Sequence, residues 1–409
     1  ALPDLAADVA ADVAAAHAAL ADARARLAGR DAEVVRTQVA LTEIPAPTGE
    51  EGERAAWVAD RFRTLGLADV HVDAAGNVVG RRPGRAARRT GAEERAPIAV
   101  CAHLDTVFPR GMPCTVRRVG RRLVGPGIGD NGRGVAALLA LAETIDGRSV
   151  RTRRPVDFVA TVGEEGLGDL RGAKHHFAHA ERPHAAVALD GAGDERIVHR
   201  AVGSRRFRVE FAGPGGHSWA AFGVANAVHA AARCTVRLAT LALSDAPRVT
   251  LSVTRTGGGL SVNAIPASAW LEVDLRCTAG ALLDRYAEAV RRAAEGAARE
   301  ENAERAPGTS ELTATVTVIG DRPAGELDAG APLVALARAA TRLVGRRPEL
   351  GAASTDANVP LGLGVPAIAV GAGGIGGDAH TPGEWFENAD GTVGLSRALT
   401  IVVGAAGLA

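Results

Sequence analysis

Residues 125–134 read Gly-Pro-Gly-Ile-Gly-Asp-Asn-Gly-Arg-Gly, and no other stretch constrains the fold as tightly. Five glycines in ten residues cost too much entropy unless the backbone needs turns that other residues refuse. An apolar Ala/Leu pattern follows at once, from Val135 to Ile145, so the turn opens a helix. One carboxylate, Asp130, is thereby held where a helix begins. Residues 127–132 match G-x-G-x-x-G, a fingerprint that seats a pyrophosphate on a helix N-terminus and would make the chain a dinucleotide-binding oxidoreductase. The competing reading is a metal-binding aspartate. An acid inside the loop repels a pyrophosphate, and Glu143 and Asp146 are poorly placed for a ribose. Partners for Asp130 elsewhere in the chain decide between the two.

Those partners sit at the ends of apolar runs. Ile98–Ala102 is a continuous apolar segment of the buried parallel-strand type and ends in His103-Leu104-Asp105. Val156–Val162 ends in Gly163-Glu164-Glu165-Gly166, and Ala185–Leu189 ends in Asp190. Open α/β sheets build ligand sites by delivering acid or imidazole at the carboxyl ends of such strands. A later strand, Ala367–Val370, leads through a glycine-rich loop to His380-Thr381-Pro382-Gly383-Glu384.

At 409 residues the chain exceeds one ordinary core, and its texture changes near Ile197. Strand patterns at 205–211, 248–256, 269–276 and 311–319 alternate with helical ones at 223–240 and 280–300. That order, β-α-β-β-α-β, is the ferredoxin-like split arrangement. The expected division is a catalytic domain at 1–196 resuming at 321–409, with 197–320 inserted. Helices are also expected over 3–28, over 31–43 and up to Leu65, the last capped by Thr48 and Glu51. Val70–Asp73 and Asn77–Val79 read as a hairpin.

Acids and bases balance at 47 each, against a nucleic-acid or membrane-surface partner. The six arginines of 81–97 lack aromatic residues to stack on bases and read as a solvated loop. Lys174 is the only lysine, which with the abundant Ala and Gly suggests a GC-rich bacterial source. Cys101, Cys114, Cys234 and Cys277 show no zinc-ribbon spacing and read as reduced thiols. No run approaches the ~20 apolar residues of a membrane span. Acids at Asp4, Asp8, Asp12 and Asp22 interrupt the Ala-rich start, so it is not a signal peptide as it stands. The expected location is cytoplasmic, although a leader removed ahead of residue 1 is invisible here.

His103, Asp130, Glu165, Asp190 and His380 together suit two zinc ions per chain, or other divalent ions such as Co2+ or Mn2+. Two ions about 3.5–4 Å apart need a bridging carboxylate, and the rigid turn makes Asp130 that bridge. Asp105, two residues beyond His103 on the same strand face, can orient the imidazole through its other nitrogen. Glu164, beside Glu165, is free to act as general base toward a metal-activated water and to protonate the leaving nitrogen. The histidines 175, 176, 179 and 184 read as surface or satisfied residues. Asp356 and Asn358 either line the site or cap a helix.

The motifs H-L-D-T-V at 103–107, G-x-G-D-N-x-x-G at 127–134, G-E-E-G at 163–166, Asp190 and H-T-P-G-E at 380–384 occur in a familiar order. Over residues 30–400 the chain resembles the zinc-dependent exopeptidase and deacylase family of peptidase T, acetylornithine deacetylase, succinyl-diaminopimelate desuccinylase, aminoacylase and glutamate carboxypeptidase. The resemblance implies a three-layer α/β/α catalytic domain with an inserted ferredoxin-like α+β lid, which commonly forms a homodimer. It implies that His217 of G-G-H-S-W polarises the scissile carbonyl, often across the dimer. Asn263 of S-V-N-A-I-P and Arg276 of D-L-R correspond to a substrate-binding pair, and Arg276 suits a substrate carboxylate. A cis peptide bond at Asp130–Asn131 is implied as well. Asn131 departs from the second Asp of many relatives, and Asp190 in place of Glu tilts the likeness toward peptidase T and the deacylases. The expected activity is hydrolysis of an amide bond in small peptides, of di/tripeptidase or aminopeptidase type. An N-acyl amino acid is the alternative substrate.

Overall fold

The computed structural model describes residues 2–85 and 96–409, with side chains from residue 10 onward. The chain divides into two compact units, Ala1–Ala201 with Glu326–Ala409, and Val202–Gly325. Strand Arg196–Ala201, at the expected start of the insertion, pairs within the first unit's sheet.

In the first unit, four strands run parallel at the centre in the order Val156–Thr161, Ile98–His103, Ala185–Leu189 and Ala367–Val370. Antiparallel strands flank them, Val78–Arg82 on one side and Arg196–Ala201 on the other. The hairpin of Ala68–Val72 with Val78–Arg82 forms as its alternation predicts. The central strands are buried along their whole length, which explains why they read as unbroken apolar runs. Their residues still alternate between two cores. Ile98, Val100, Phe158, Val187 and Leu189 face one core, packed by the helices Asp31–Thr42, Gly52–Thr64, Gly132–Thr144, Pro332–Leu343 and Gly391–Ala406. Ala99, Cys101, Val159, Ala186 and Ala188 face another, with Phe177 and Leu361. The result is the three-layer α/β/α sandwich, and all carboxyl ends of the parallel strands open on one edge.

The amino-terminal helical pattern breaks near Leu20, giving Leu2–Ala19 and Ala21–Gly29 where one helix was expected. Thr48 and Glu51 do not form the expected capping box. No side chain caps the Gly52–Thr64 helix; Glu51 accepts from the Gly49 and Gly163 amides, and Thr48 donates to Asp105. Arg81 and Arg82 also depart from the solvated-loop reading: Arg81 pairs with Asp157 through two hydrogen bonds, and Arg82 donates to the carbonyls of Leu65, Gly66 and Ala142. Residues 86–95 of that segment lie outside the described residues. All four cysteines are free thiols. No helix among the described residues is long and apolar enough to cross a membrane.

The second unit has the β-α-β-β-α-β order. Its sheet runs Val249–Gly258, Ser268–Cys277, Gly203–Ala212, Thr313–Arg322, all antiparallel. Helices Ala227–Ala239 and Gly280–Glu304 contribute to its own core, built on Phe207, Phe211, Leu271, Leu275 and Val290.

In the first unit, Arg54 is fully buried and donates to the carbonyls of Thr42, Ile44 and Leu104. It ties the chain before the Gly52–Thr64 helix to the end of the Ile98–His103 strand. Arg54→Met removes every one of those donors, and the stranded carbonyls are expected to cost about 2–4 kcal/mol. Urea unfolding with an unchanged midpoint would show that the carbonyls find other partners.

Candidate metal centre

Each expected ligand sits where a strand or a turn ends. His103 is the last residue of its strand, Glu164 and Glu165 follow Val156–Thr161, and Asp190 follows Ala185–Leu189. Asp130 lies in the glycine turn before the Gly132–Thr144 helix, and the Asp130–Asn131 peptide is cis. A β-carbon at Gly127, where φ is +75°, would meet Thr106 Cγ2 at 2.6 Å. At Gly134 it would come within 2.0 Å of Asn131 Oδ1, so both positions require glycine. The turn follows Arg122–Val124, a strand of a small antiparallel sheet, and not a strand of the parallel sheet as a dinucleotide fingerprint requires.

The two oxygens of Asp130 face two different imidazoles. His103 Nε2 lies 3.0 Å from Oδ1, and His380 Nε2 lies 3.2 Å from Oδ2. His380 Nε2 is also 2.9 Å from Glu165 Oε1, and His103 Nε2 is 4.0 Å from Asp190 Oδ1. Two trios result, His103–Asp130–Asp190 and Asp130–Glu165–His380, each with its ligand atoms within 4.8 Å of one another. A third grouping joins His103 to Glu164 and Glu165. Among the described residues these are the groups able to hold a metal, and none includes His175, His176, His179 or His184. His176 is buried, and His175 stacks on His179.

The electrostatics match a cluster built for cations. Burial lowers the His103 pKa, but Asp105, Asp130 and Glu164 overcome it and hold that pKa well above its ordinary value. The hydrogen bond to Asp130 leads in lifting His380 to about 9. Burial, reinforced by the Asp130 charge, pushes the Asp190 carboxyl up to about 7. Burial also raises Glu165. Asp130 Oδ1 is buried and makes no hydrogen bond of good geometry, although His103 Nε2 is 3.0 Å away. Two imidazoles and three carboxylates arranged in this way fit a pair of divalent ions.

Asp105 lies against His103, as expected of an orienting residue, and it also has a second set of partners. His103 Nδ1 lies 3.1 Å from the Asp105 main-chain oxygen, while the nearer carboxylate oxygen is 3.7 Å away. The carboxylate accepts from the Glu164 and Glu165 amides, 2.9 Å each, and from Thr48 Oγ1. It thus fixes the loop that carries Glu164 and Glu165, and its own pKa falls to about 2 because His103 and those amides outweigh burial.

Glu384 is the functional residue that sequence reasoning left without a role. Its buried carboxylate accepts from the amides of Gly127, Gly129 and Asp130 at 2.7–2.9 Å, wrapping the turn. Only its place in H-T-P-G-E marked it. Asn131 caps the helix through Gly134 and also accepts from the Gly191 amide, beside Asp190. Asp356 accepts from Thr161 and adds to the repulsion on Asp190, so it lies beneath the site. Asn358 accepts from the Thr355 amide in a turn.

In the second unit His217 and Asn263 come together. His217 pairs with Ala264, and the Ser218 amide donates to the Asn263 carbonyl. His217 Nδ1 accepts from the Trp219 and Ala220 amides, which leaves the proton of the neutral ring on Nε2. Arg276 is elsewhere. It lies on strand Ser268–Cys277, eight residues beyond the end nearest Asn263, which is about 26 Å at the usual rise. Its Nε donates to Asp274 at 2.6 Å.

The sequence matches the peptidase family M20/M25/M40 over residues 99–402. The chain belongs to that family. No curated protein sequence gives a significant match. Solved M20-type folds do. The aminopeptidase PepT from Bacillus cereus ATCC 10987 is 21% identical with a TM-score of 0.73, covering 92% of this chain and 99% of that one. A tripeptidase from Staphylococcus aureus subsp. aureus mu50 is 21% identical with a TM-score of 0.72, covering 92% and 98%. The dipeptidase Dug1p from Saccharomyces cerevisiae is 13% identical with a TM-score of 0.70, covering 95% and 98%. At such identities the likeness is one of fold.

In this M20 family member the turn depends on Glu384 for three hydrogen bonds. Glu384→Ala is expected to weaken divalent-ion affinity by about 10–100-fold, the scale of losing a group that positions a ligand. Calorimetric zinc titration showing wild-type affinity would mean the glycine turn holds Asp130 unaided.

Proposed function

We propose that this chain is a dinuclear zinc aminopeptidase or di/tripeptidase that hydrolyses an amide bond of small peptides. The observation that carries the reading is Asp130, whose two oxygens face two imidazoles, each trio completed by a further carboxylate. His103 and Asp190 would hold one ion and Glu165 and His380 the other, with Asp130 shared. Ions held there supply Lewis acidity and make water more acidic. Glu164 takes the proton from the attacking water and returns it to the leaving nitrogen. Its position is set by the Asp105 carboxylate through the main chain. His217, donating from Nε2, and Asn263 stabilise the carbonyl oxygen as it gains charge, and Arg276 pairs with a substrate carboxylate. The peptidase neighbours in fold favour peptides as the substrate class.

Metal analysis should find up to two divalent ions per chain, and chelation should abolish peptide turnover. Glu164→Gln should retain the ions and lose turnover by roughly 10²-fold or more. Wild-type turnover in that variant would remove Glu164 as the base.

The placement of Arg276 supports a site shared between two copies. A tripeptide spans about 10 Å fully extended, far less than the separation of Arg276 from His217 and Asn263 along the sheet. One substrate is therefore served by His217 and Asn263 of one copy and Arg276 of another, in a homodimer formed through the inserted unit. Mixing His217→Ala chains with Asp130→Ala chains should restore partial activity, since only the hybrid combines an intact metal centre with an intact His217. No recovery on mixing would assign His217 to its own chain's centre.

A further inference from the structure

The two segments that present His217 and Asn263 are unlike the rest of the surface. Leu260 and Val262 are fully exposed and Trp219 and Phe222 are 88% and 87% exposed, whereas the next large apolar side chain, Leu167, is 63% exposed. Among the described residues the four most exposed large apolar side chains thus belong to these segments. The pairing of Gly216–His217 with Ala264–Ile265, carried on by the Ser218–Asn263 hydrogen bond, joins the two segments next to the turn in each. Trp219 and Phe222 lie three residues apart in one tight turn, closed by the Ala221 amide on the His217 carbonyl. That turn is built to one shape. Gly216 has φ +152°, and a β-carbon there would sit 2.6 Å from the Ala221 β-carbon.

The two segments themselves carry no charged side chain. Residues 213–226 and 258–267 contain no Asp, Glu, Lys or Arg, in a chain where such residues make up 23%. Isolated exposed apolar residues are ordinary, but four on two paired, uncharged segments that carry an imidazole mark a surface that is covered in use. The backbone amide of Trp219 itself donates to His217 Nδ1, so the indole-bearing residue is tied to the imidazole.

We infer that Trp219, Phe222, Leu260 and Val262 form an apolar wall against the substrate side chain carried by the residue that supplies the scissile carbonyl. The inference rests on the proposed role of His217 and names the substrate class more closely: peptides with a bulky, uncharged apolar residue at that position. The geometry follows from the chemistry. If His217 and Asn263 reach the carbonyl oxygen, the side chain on the adjacent carbon lies within a few ångströms of their neighbours. The substrate carboxylate is met elsewhere, at Arg276.

The experiment compares kcat/KM of the zinc-loaded wild-type protein for dipeptides and tripeptides bearing Leu, Phe, Gly, Ser or Arg at that position. Wild type should prefer Leu or Phe over Gly by at least about tenfold, the usual scale for filling an apolar pocket. Trp219→Ser and Val262→Ser should each reduce that ratio severalfold, and Val262→Asp should shift preference toward Arg. The side chains are exposed, so these variants keep the fold, which circular dichroism checks. Sedimentation of each variant gives the competing outcome. Dissociation into smaller species with an unaltered preference would assign the patch to a contact between copies and overturn the inference. Turnover that is flat across the side chains also overturns it and leaves the proposed activity standing. Failure of wild type to cleave any of these peptides overturns the proposed activity, and this inference with it.

Discussion

The site depends on one carboxylate answering to two imidazoles. Asp130 can do this only because its oxygens diverge toward His103 and His380, and the backbone beneath it decides that direction. The glycines make the turn sterically possible, while Glu384 makes it specific by gathering three amides that would otherwise be unsatisfied. A buried carboxylate on a cluster of amides is a charge-assisted arrangement, stronger than neutral hydrogen bonds and directional. The order of dependence therefore runs from Glu384 through the turn to Asp130, and from Asp130 to both histidine–carboxylate trios.

A second carboxylate governs the opposite wall. Asp105 holds the Glu164 and Glu165 amides and the Thr48 hydroxyl at once. The acid proposed as base and the neighbouring ligand thus share one support. Burial and hydrogen bonding make that support costly to disturb, because removing one partner strands the others. Glu164 and Glu165 are coupled through the main chain by the one carboxylate that both amides share.

Much of this was legible in the sequence. Unbroken apolar runs marked the central strands, and within three residues of each run came a proposed ligand: His103, Glu165 and Asp190. The glycine-rich turn marked Asp130. What sequence could not supply was long-range hydrogen bonding. Nothing local to Glu384 says that its carboxylate reaches amides more than 250 residues earlier. Thr48 and Glu51 have the spacing of a capping box, and tertiary partners outbid the local one. Asp105 was read from strand geometry as an imidazole partner, and its further hold on the amides of the Glu164 loop was not legible. The N-terminal break at Leu20 was invisible because apolar spacing continues through it. The separation of Arg276 from Asn263 could have been counted: ten strand residues lie at Ser268–Cys277, and a strand of that length carries its two ends apart.

The first unit is also discontinuous, with all of Val202–Gly325 lying between Asp190 and His380. During synthesis, four of the five proposed ligands leave the ribosome well before the fifth. The His103–Asp130–Asp190 trio has its members early, whereas Asp130–Glu165–His380 waits until the whole insertion has been made. The Ala367–Val370 strand, which completes the parallel core, arrives over the same late interval. The two proposed ion sites thus belong to different moments in the life of the nascent chain, and closing the second coincides with closing the sheet itself.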